Sequence, residues 1–352
     1  MQVQENVLLA PFTTFHVGGP ARYFIQAENQ QQVTEAVEWA KSRSLPLFVL
    51  GGGSNLVVAD AGWPGLILRI AIGGIEERSQ AGRRLFQVGA GVDWDTFVAH
   101  AVGQNCGGIE CLSGIPGTAG GTPVQNVGAY GQEVAETIHG VEVFDLETKA
   151  LRMLTKEECG FNYRSSIFNS SARGRYIVLR VSYALVPGAA PRIEYADLKN
   201  FFASKTNSPS LQETRDAVRQ IRRSKAMLLV EGDPDCRSAG SFFKNPIITP
   251  AKYEEVSARP GARGEPVPQF PGGGGKMKIS AAWLVEHAGF HRGYVRGNVG
   301  ISSKHALAIV NRGGARAAEI IALQQEIQNK VTEAFNIQLH PEPVFVGFER
   351  SW

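Results

Sequence analysis

The sequence lacks several features that mark whole classes of proteins. It contains only four cysteines, and none of them stands in a C-x-x-C pair, which is typical of a reducing compartment. No apolar run is long enough to cross a bilayer, and the opening MQVQENVLLA has neither the basic nor the apolar region of a signal peptide. These absences predict a cytoplasmic protein without membrane insertion.

A strong excess of charge of one sign is also missing. The chain has 36 basic and 33 acidic residues, which gives a formal net charge of +3. This excess is too small to drive nucleic-acid binding by counterion release, so no nucleic-acid partner is expected. One basic cluster at helical spacing favours a solvated helix face over a binding site. It consists of Arg215, Arg219, Arg222, Arg223 and Lys225.

The common nucleotide and metal motifs are absent as well. GGGSNL and GAGVDW lack the third glycine of G-x-G-x-x-G, and GGGGKM lacks the Ser or Thr of a Walker loop. His287 and His291 are four residues apart in EHAGFH, but they have neither the H-E-x-x-H order nor an acidic third ligand nearby. Neither a Rossmann nor a P-loop site is favoured, and no metal site is predicted.

Glycine, in contrast, is abundant, with 40 residues that often occur in runs. The run GGGSN follows a buried strand predicted in LPLFVL and a helix predicted in QQVTEAVEWAKSR. Its backbone amides suit a pyrophosphate, and a tight turn explains the same residues equally well. Residues 108–132 carry glycine, proline or a small residue at nearly every second position. That composition excludes a helix and favours a ribbon of backbone amides around a flat, polar cofactor.

Periodicity and turn signals predict further elements along the chain. We expect helices in DWDTFVAHAV, in SAAWLVEHAG with Ser280 as N-cap, and over about 315–335. TKEE at 155–158 predicts a capping box that starts a short helix. Strands are expected in GVEVFDL and YIVLRVSYAL, a mobile loop in VPQFPGGGGKMK, and an extended segment in IQLHPEPVFVGF.

Six ordered blocks then give the sequence a family resemblance. They are FTTFHVGGPARYF, LGGGSNLVV, GIPGTAGGTPVQNVGAYG, YRSSIF, SAGSFFKNP and HPEPVFVGF. Over almost the whole chain, the sequence resembles the UDP-N-acetylenolpyruvoylglucosamine reductases, FAD- and NADPH-dependent enzymes of peptidoglycan precursor synthesis. The resemblance implies an α+β fold. A two-part FAD-binding domain of the PCMH type, like that of vanillyl-alcohol oxidase, would precede a C-terminal α+β substrate-binding domain.

The resemblance also implies domain bounds and cofactor residues. The two FAD-binding parts would be residues 1–74 with the strand segment 337–352, and residues 75–215; the substrate-binding domain would be residues 216–336. FAD would be bound non-covalently, so neither His16 nor His100 is assigned a flavin bond. The residues implied for the pyrophosphate are Gly51, Gly52, Gly53, Ser54 and Asn55. Those implied for the rest of the cofactor are Pro116, Gly117, Thr118, Gly120, Gly121, Val124 and Gly128.

Three side chains match the family's catalytic positions. Arg164 in NYRSSIF would hold the negative charge that develops when hydride reaches the enolpyruvyl methylene, because a guanidinium matches a carboxylate and stays protonated. Ser241 would be the proton donor; it lies in no G-x-S-x-G elbow and has no histidine as a sequence neighbour, which argues against a nucleophile. Glu342, between two prolines, would orient the guanidinium and the substrate carboxyl, in a protonated state if the site is enclosed.

The match extends to the nucleotide half of the substrate. The residues implied to bind it are Tyr195, Lys225, Asn245 and His305, and Lys225 would contact a phosphate. His305 stands where the enterobacterial form has a glutamine, and Phe270 stands where that form has a tyrosine. The implied reaction converts UDP-N-acetylglucosamine enolpyruvate to UDP-N-acetylmuramate, with NADPH and substrate using one cleft in turn, in a monomer. An oxidase of the same flavoprotein class and a non-catalytic flavin or nucleotide-binding protein remain as alternatives.

Overall fold

The computed structural model describes residues 1–259 and 265–348. Parts of two predicted domains, residues 260–264 and 349–352, lie outside the described residues. The helices are α1 (Gln30–Ser42), α2 (Trp94–Gly103), α3 (Ala196–Phe201), α4 (Leu211–Ser224), α5 (Pro250–Ser257), α6 (Ala281–His287) and α7 (Ala317–Phe335). The first ten strands are β1 (Gln4–Leu8), β2 (Pro20–Ala27), β3 (Leu47–Leu50), β4 (Leu56–Val58), β5 (Trp63–Ile70), β6 (Ile75–Gln80), β7 (Arg83–Gly89), β8 (Cys106–Gly107), β9 (Gly128–Ala129) and β10 (Gln132–Glu133). The others are β11 (Ile138–Asp145), β12 (Ala150–Thr155), β13 (Tyr176–Pro187), β14 (Ile247–Ile248), β15 (Gln269–Pro271), β16 (Met277–Ile279), β17 (Val295–Arg296), β18 (Val299–Ile301), β19 (Ile309–Asn311) and β20 (Val344–Val346).

The chain folds into two compact units. The first unit consists of Met1–Val7, Ala21–Gly53 and Pro64–Leu228. The second unit consists of Leu8–Pro20, Ser54–Trp63 and the described residues from 229 onward. The finer division into two flavin-binding parts and a substrate-binding domain stays a prediction. None of the helices in the described part of the chain has the length and apolarity that a membrane crossing requires.

The described part of the first unit contains two large sheets and the two-stranded pair β9-β10. One sheet has the order β1-β2-β5-β3, with β3 and β5 parallel, and α1 buries Val33, Ala36 and Ala40, as its predicted periodicity requires. The other sheet has the order β12-β11-β13-β7-β6, with β8 on β13. Helix α2 buries Trp94 and Phe97 in the same core. The strand and helix predictions for these segments are confirmed. Residues 108–132 contain no α-helix, as their composition predicts, and form turns, short 3₁₀ helices and two-residue strands.

The second unit is built from smaller pieces around its own core. It contains the three-stranded sheets β14-β16-β15 and β17-β18-β19 and the parallel pair β4-β20. Helix α7 buries Leu323, Ile327 and Val331, which lie on its predicted apolar face. Helix α6 begins after Ser280, whose hydroxyl accepts a hydrogen bond from the Trp283 N–H at 3.2 Å, so the predicted N-cap is confirmed.

The helix predicted to follow TKEE does not form. The reciprocal bonds of a capping box close, since the Thr155 N–H donates to Glu158 Oε2 at 2.8 Å and the Glu158 N–H donates to Thr155 Oγ1 at 3.2 Å. The chain only turns there, and Gly160 takes a left-handed φ of +56°. A capping box supplies the start of a helix, but no helical run follows to propagate it.

The segment VPQFPGGGGKMK is a hairpin in its central part instead of the predicted loop. Strands β15 and β16 pair antiparallel, with Phe270 opposite Lys278. The reversal passes through Gly273, Gly274 and Gly275, whose φ values are +76°, +55° and +74°. Glycine is favoured at these three successive positions because side chains rarely tolerate positive φ values. The glycine run that suggested a loop therefore forms the turn of the hairpin.

The interpretation of the basic cluster as a solvated face is wrong for two of its members. On α4, Arg215 is 8% exposed and Arg222 is 5% exposed. Arg222 Nε donates to the Gly114 carbonyl at 3.1 Å, and its Nη2 donates to the Met227 carbonyl at 2.6 Å. Burial lowers the pKa of Arg222 from its ordinary value. Charge at helical spacing could not reveal these partners, because they lie outside the helix.

Candidate functional site

Two glycine-bearing loops of the first unit pack backbone against backbone. Strand β3 ends at Leu50, and a Cβ placed on Gly52 would lie 2.6 Å from Gly117 Cα. Gly53 and Gly117 have φ values of +65° and +131°, which side chains rarely tolerate. The sequence requirement for glycine at these positions therefore has two physical causes, close approach and left-handed backbone.

The same loops leave a polar group without a protein partner. Thr118 Oγ1 is buried and has no hydrogen-bond partner among the described residues. A Cβ on Gly51 would lie 3.2 Å from this oxygen. Because buried polar atoms almost always have partners, an orphan hydroxyl beside bare backbone suits a polar ligand such as a pyrophosphate. The residues present thus fit the phosphate part of FAD.

The other predicted cofactor residues lie in several settings. A Cβ on Gly120 would lie 2.5 Å from Ala90 Cβ, and one on Gly128 would lie 2.8 Å from Glu133 Cγ. The Val124 carbonyl accepts a hydrogen bond from Ser166 Oγ at 2.7 Å. Pro116 is half-buried in the same ribbon, and a Cβ on Gly121 would lie 4.0 Å from Thr118 Oγ1.

Ser54 and Asn55 belong to the second unit. The Ser54 carbonyl accepts from Thr14 Oγ1 at 3.3 Å. Asn55 Nδ2 donates to the Glu342 carbonyl at 3.2 Å, and the Val344 N–H donates to the Asn55 carbonyl at 2.9 Å. Asn55 is thus placed beside the segment that carries a predicted catalytic residue.

Two carboxylates, one half-buried and one buried, anchor the glycine-rich ribbon, and sequence reasoning missed both. Asp95 Oδ1 accepts from the Gly114 N–H at 2.6 Å, and the Asp95 carboxylate also pairs with Arg215 at 2.5 Å and 3.0 Å and with Arg219. Burial raises the pKa of Asp95, but the hydrogen bonds and charges of these partners outweigh burial and leave that pKa below its usual value.

The second carboxylate, Glu110, is almost fully buried. It accepts from the Gly108 N–H at 2.7 Å, from Gln132 Nε2 at 2.8 Å and from the Arg192 N–H at 3.1 Å. Acidic residues inside a turn-rich stretch satisfy backbone amides that no strand or helix can satisfy. This requirement is the signal that could have identified Glu110, whereas Asp95 lies in helix α2 and carries no such signal.

Arg164 is held at a strained position in the first unit. Its φ is +50°, an uncommon value for a residue with a side chain. Asn169 Nδ2 donates to the Arg164 carbonyl at 3.2 Å, and Asn169 Oδ1 accepts from the Ser166 N–H at 3.0 Å. Arg164 Nη2 donates to the Gly128 carbonyl at 2.8 Å. The structure therefore brings the predicted catalytic arginine to one of the predicted cofactor residues.

Ser241 and Glu342 are brought together in the second unit by the backbone of Phe242. The Phe242 carbonyl accepts from the Glu342 N–H at 2.8 Å, and Phe243 forms a bridge with Pro341. Phe242 is fully buried and packs edge-on against Phe15, with ring centroids 6.2 Å apart. The two phenylalanines after Ser241 are thus core residues that fix the segment carrying the hydroxyl.

Ser241 also has a side-chain partner that the sequence did not indicate. Its Oγ lies 3.0 Å from His305 Nε2, within hydrogen-bond distance. The loop that carries His305 is also tied to the serine segment, because the Phe242 N–H donates to the Leu307 carbonyl at 2.8 Å. The residues are 64 positions apart, so no local pattern could link them.

The remaining predicted substrate residues are divided between the units. In the first unit, Tyr195 is exposed and packs edge-on to Tyr130 at 5.4 Å, and Lys225 Nζ lies 2.6 Å from Asp197 Oδ2. Burial raises the pKa of Tyr130 to about 12. In the second unit, Asn245 Oδ1 accepts from the Ala281 N–H, at the start of α6, at 2.9 Å.

The described residues contain no group of three or more His, Cys, Asp or Glu side chains that could hold a metal ion. The four cysteines are free and buried, and burial raises the pKa of the Cys159 thiol to about 12. Thiols in this state are poor nucleophiles, so the geometry assigns them to packing.

Two protein-family models match parts of this chain, and proteins of one family are similar to it over nearly its full length. An FAD binding domain model matches residues 21–153, and the model of the UDP-N-acetylenolpyruvoylglucosamine reductase C-terminal domain matches residues 233–346. Proteins named UDP-N-acetylenolpyruvoylglucosamine reductase are 44% identical in Thermobifida fusca, over 97% of this chain and 98% of that protein, and 44% identical in Saccharopolyspora erythraea, over 96% and 94%.

A solved structure extends the similarity to the fold. The crystal structure of UDP-N-acetylenolpyruvylglucosamine reductase from Thermus caldophilus is 28% identical and covers 98% of this chain and 99% of its own, with a TM-score of 0.66. The fold therefore combines an FAD-binding domain with the C-terminal domain of that family. With such identity over nearly full length, the chain belongs to the UDP-N-acetylenolpyruvoylglucosamine reductase family and is an FAD-binding oxidoreductase.

Proposed function

We propose that this protein reduces UDP-N-acetylglucosamine enolpyruvate to UDP-N-acetylmuramate in peptidoglycan precursor synthesis, with NADPH as electron donor. The names of the relatives and the matched FAD-binding domain support this reaction class. The structural observation that carries the proposal is the pairing of the Ser241 and Glu342 segments through Phe242. We place the reaction in the cytoplasm and assign it to a monomer.

FAD would be held non-covalently and, when bound, would supply the two-electron transfer between NADPH and the enolpyruvyl substrate. The protein residues that would hold its pyrophosphate are Gly51, Gly52, Gly53, Ser54 and Asn55. The Thr118 hydroxyl supports this assignment because it is buried with no hydrogen-bond partner in residues 1–259 and 265–348. The other residues assigned to the cofactor are Pro116, Gly117, Gly120, Gly121, Val124 and Gly128. The flavin-binding parts would be residues 1–74 with 337–352 and residues 75–215.

Arg164 stabilises the negative charge that develops on the substrate, and Glu342 orients the guanidinium and the substrate carboxyl. The guanidinium of Arg164 offers forked donors to the carboxylate beside the reacting carbons. The hydrogen bond from Nη2 to the Gly128 carbonyl involves one terminal nitrogen of the guanidinium and limits the rotation of the group. Glu342 follows Pro341 in a segment paired to Phe242 and Phe243, so its carboxyl is carried by a rigid backbone.

Ser241 delivers the proton that completes the reduction. Its hydroxyl donates to the carbon next to the substrate carboxylate and acts as a general acid. The residue before it, Gly240, has a φ of +71°, which turns the chain sharply into the buried Phe242 and Phe243. Two adjacent side chains anchored in the core keep the serine at a fixed position.

Residues 216–336 would bind the nucleotide half of the substrate, together with Tyr195 from the preceding part. Lys225 contacts a phosphate in this assignment and must exchange its ion pair with Asp197 for the ligand. Asn245 donates from Nδ2, because its Oδ1 already accepts from the Ala281 N–H. His305 stands beside Ser241, so it lies near the reacting end of the substrate.

The Ser241→Ala variant tests this proposal. It removes the proton donor but leaves the FAD residues in place, so anaerobic flavin reduction by NADPH stays at the wild-type rate. Reoxidation by the enolpyruvyl sugar falls by about 10²- to 10⁴-fold, the usual contribution of a general acid. Stopped-flow absorbance of the flavin measures both steps, and Ser42→Ala, at an exposed serine near the end of α1, is the control. Equal loss of both steps in Ser241→Ala contradicts the assigned role.

A further inference from the structure

The contact between Ser241 and His305 constrains the chemistry of the serine. Oγ and Nε2 are 3.0 Å apart, so one proton lies between them. If that proton is the serine's own, the hydroxyl points at the imidazole and away from a substrate carbon. A serine that donates to substrate therefore requires Nε2–H to be the donor in this contact.

The loop that carries His305 is held firmly in place. It connects β18 to β19, the Ala308 N–H donates to the His305 carbonyl at 3.1 Å, and the Ser302 N–H donates to the Ala308 carbonyl at 2.8 Å. The buried carboxylate of Asp235 accepts from the Ser303 N–H at 3.0 Å and from its Oγ at 2.6 Å. With Phe242 bonded to Leu307, the serine and the histidine are fixed from both sides.

We infer that His305 is a positioning residue that orients the Ser241 hydroxyl and returns a proton to its oxygen during the reduction. The inference rests on the proposed function of Ser241. As the Oγ–H bond breaks and the proton joins the substrate carbon, the Nε2–H bond of the imidazolium breaks and its proton joins Oγ. The carbon gains one proton, the serine is unchanged, and the neutral imidazole takes a proton from solvent.

The relay requires a protonated imidazole, since a neutral ring that gives up Nε2–H would become an anion. Proton delivery therefore slows as pH rises through the pKa of the histidine, which for an imidazole is ordinarily about 6.5. Lys304 pairs with Asp233 at 2.6 Å, which raises the pKa of the lysine and lowers that of the aspartate. Charged and titratable groups on the described segments bonded to the loop include Asp233, Asp235, Cys236, Arg237, Lys244, His291, Arg292, Tyr294, Lys304, His340 and Glu342.

Replacement of the imidazole by an amide separates its two roles. His305→Gln keeps an N–H donor toward Ser241 but cannot release a proton, whereas His305→Ala keeps neither. His340→Gln is the matched control, because the His340 side chain is exposed. The backbone of His340 is bonded to the serine segment, since its carbonyl accepts a hydrogen bond from the Lys244 N–H, and the substitution leaves this bond in place. Rates of anaerobic flavin reduction by NADPH and of reoxidation by the enolpyruvyl sugar are measured from pH 6 to about pH 9 for all four proteins, a range that spans the ordinary imidazole pKa.

For the wild-type protein and His340→Gln, reoxidation falls by up to about tenfold per pH unit above the histidine pKa. His305→Gln is slower by about tenfold or more at the acid end and shows a flat profile, and His305→Ala is slower still. The flavin-to-protein absorbance ratio and the far-ultraviolet circular dichroism spectrum are alike in all four, which shows that the variants are folded. A His305→Gln profile that follows the wild type overturns the inference.

A second measurement on the unaltered protein is independent of any folding defect. Reoxidation rates in mixtures of light and heavy water give a bowed dependence on deuterium fraction if two protons move together, and a linear dependence overturns the relay. Failure of the proposed function is distinct: reduced wild-type protein then stays reduced with the enolpyruvyl sugar at every pH, which also removes the basis of the relay.

Discussion

The glycine loops of the first unit and the serine cluster of the second unit are sites of opposite construction. At Gly52 and Gly117, the backbone itself makes the surface, and a single Cβ would enter another backbone. At Ser241, three distant segments make the site, since the His305 side chain contacts the hydroxyl and the Phe242 backbone is bonded to the backbone of Glu342. A backbone site tolerates no added atom, whereas a side-chain site depends on core residues that never touch a ligand.

The largest effect that tests this contrast is expected at Gly52. Gly52→Ala forces Cβ to within 2.6 Å of Gly117 Cα, so the two loops must separate. A displacement that costs more than about 1.4 kcal/mol of binding free energy lowers the FAD affinity at least about tenfold. The flavin-to-protein absorbance ratio after gel filtration measures the loss.

The control is Gly103→Ala at the end of α2, where an added Cβ would meet no heavy atom of the described residues within 4 Å apart from its own helix backbone and chain neighbours. This variant keeps its flavin, because alanine also favours helix over glycine. Full flavin retention in Gly52→Ala would show that the loop is not a backbone site, and the contrast between the two regions would fail.

A smaller effect is expected at Asp95, which anchors the glycine ribbon. Asp95→Asn leaves Arg215 and Arg219 without their counter-ion, and loss of one partner of a buried pair costs about 3–5 kcal/mol. Because the Asp95 side chain is 22% exposed, solvent screening reduces this to about 2 kcal/mol. Urea unfolding followed by circular dichroism measures the difference, with Asp216→Asn at an exposed position of α4 as control.

The effect at Asp95 has a defined pH dependence. Its pKa is lowered in the folded state, so its contribution to stability is complete above the unfolded pKa, about 3.9, and is lost as pH falls through the folded pKa. The difference in the free energy of unfolding between the wild-type protein and Asp95→Asn should therefore disappear only under acid conditions. An advantage that instead disappears between pH 5 and about pH 8, where imidazoles titrate, would show that Asp95 is not the group responsible.

The smallest effect is expected at Asn245, where one side chain would serve both the fold and the ligand. Asn245→Ala removes the acceptor for the Ala281 N–H and costs about 1 kcal/mol of stability. Asn245→Asp keeps the acceptor, so stability is retained, but it removes the donor and adds an anion. The KM for the nucleotide substrate should then rise in Asn245→Asp without a drop in melting temperature; an unchanged KM would remove Asn245 from the substrate site.

The sequence predicted well where the controlling interactions are local. Helix α6 follows from Ser280 and an apolar face, and β3 follows from a short buried run that ends in glycine. It failed where the deciding partner is distant: the capping box at Thr155 closes without a helix, and Arg222 is buried by carbonyls outside α4. The contact between Ser241 and His305 belongs to the second kind. The assignments of Arg164, Ser241 and Glu342 came from resemblance and remain predictions.

The central claim is that an enolpyruvyl sugar accepts the electrons that NADPH donates to a bound flavin in this protein. The visible absorption spectrum of the purified protein under anaerobic conditions tests it most directly. The protein should be yellow, should bleach when NADPH is added, and should regain its colour when UDP-N-acetylglucosamine enolpyruvate follows. A colourless protein, or a bleached one that regains its colour only when oxygen is admitted, would contradict the account.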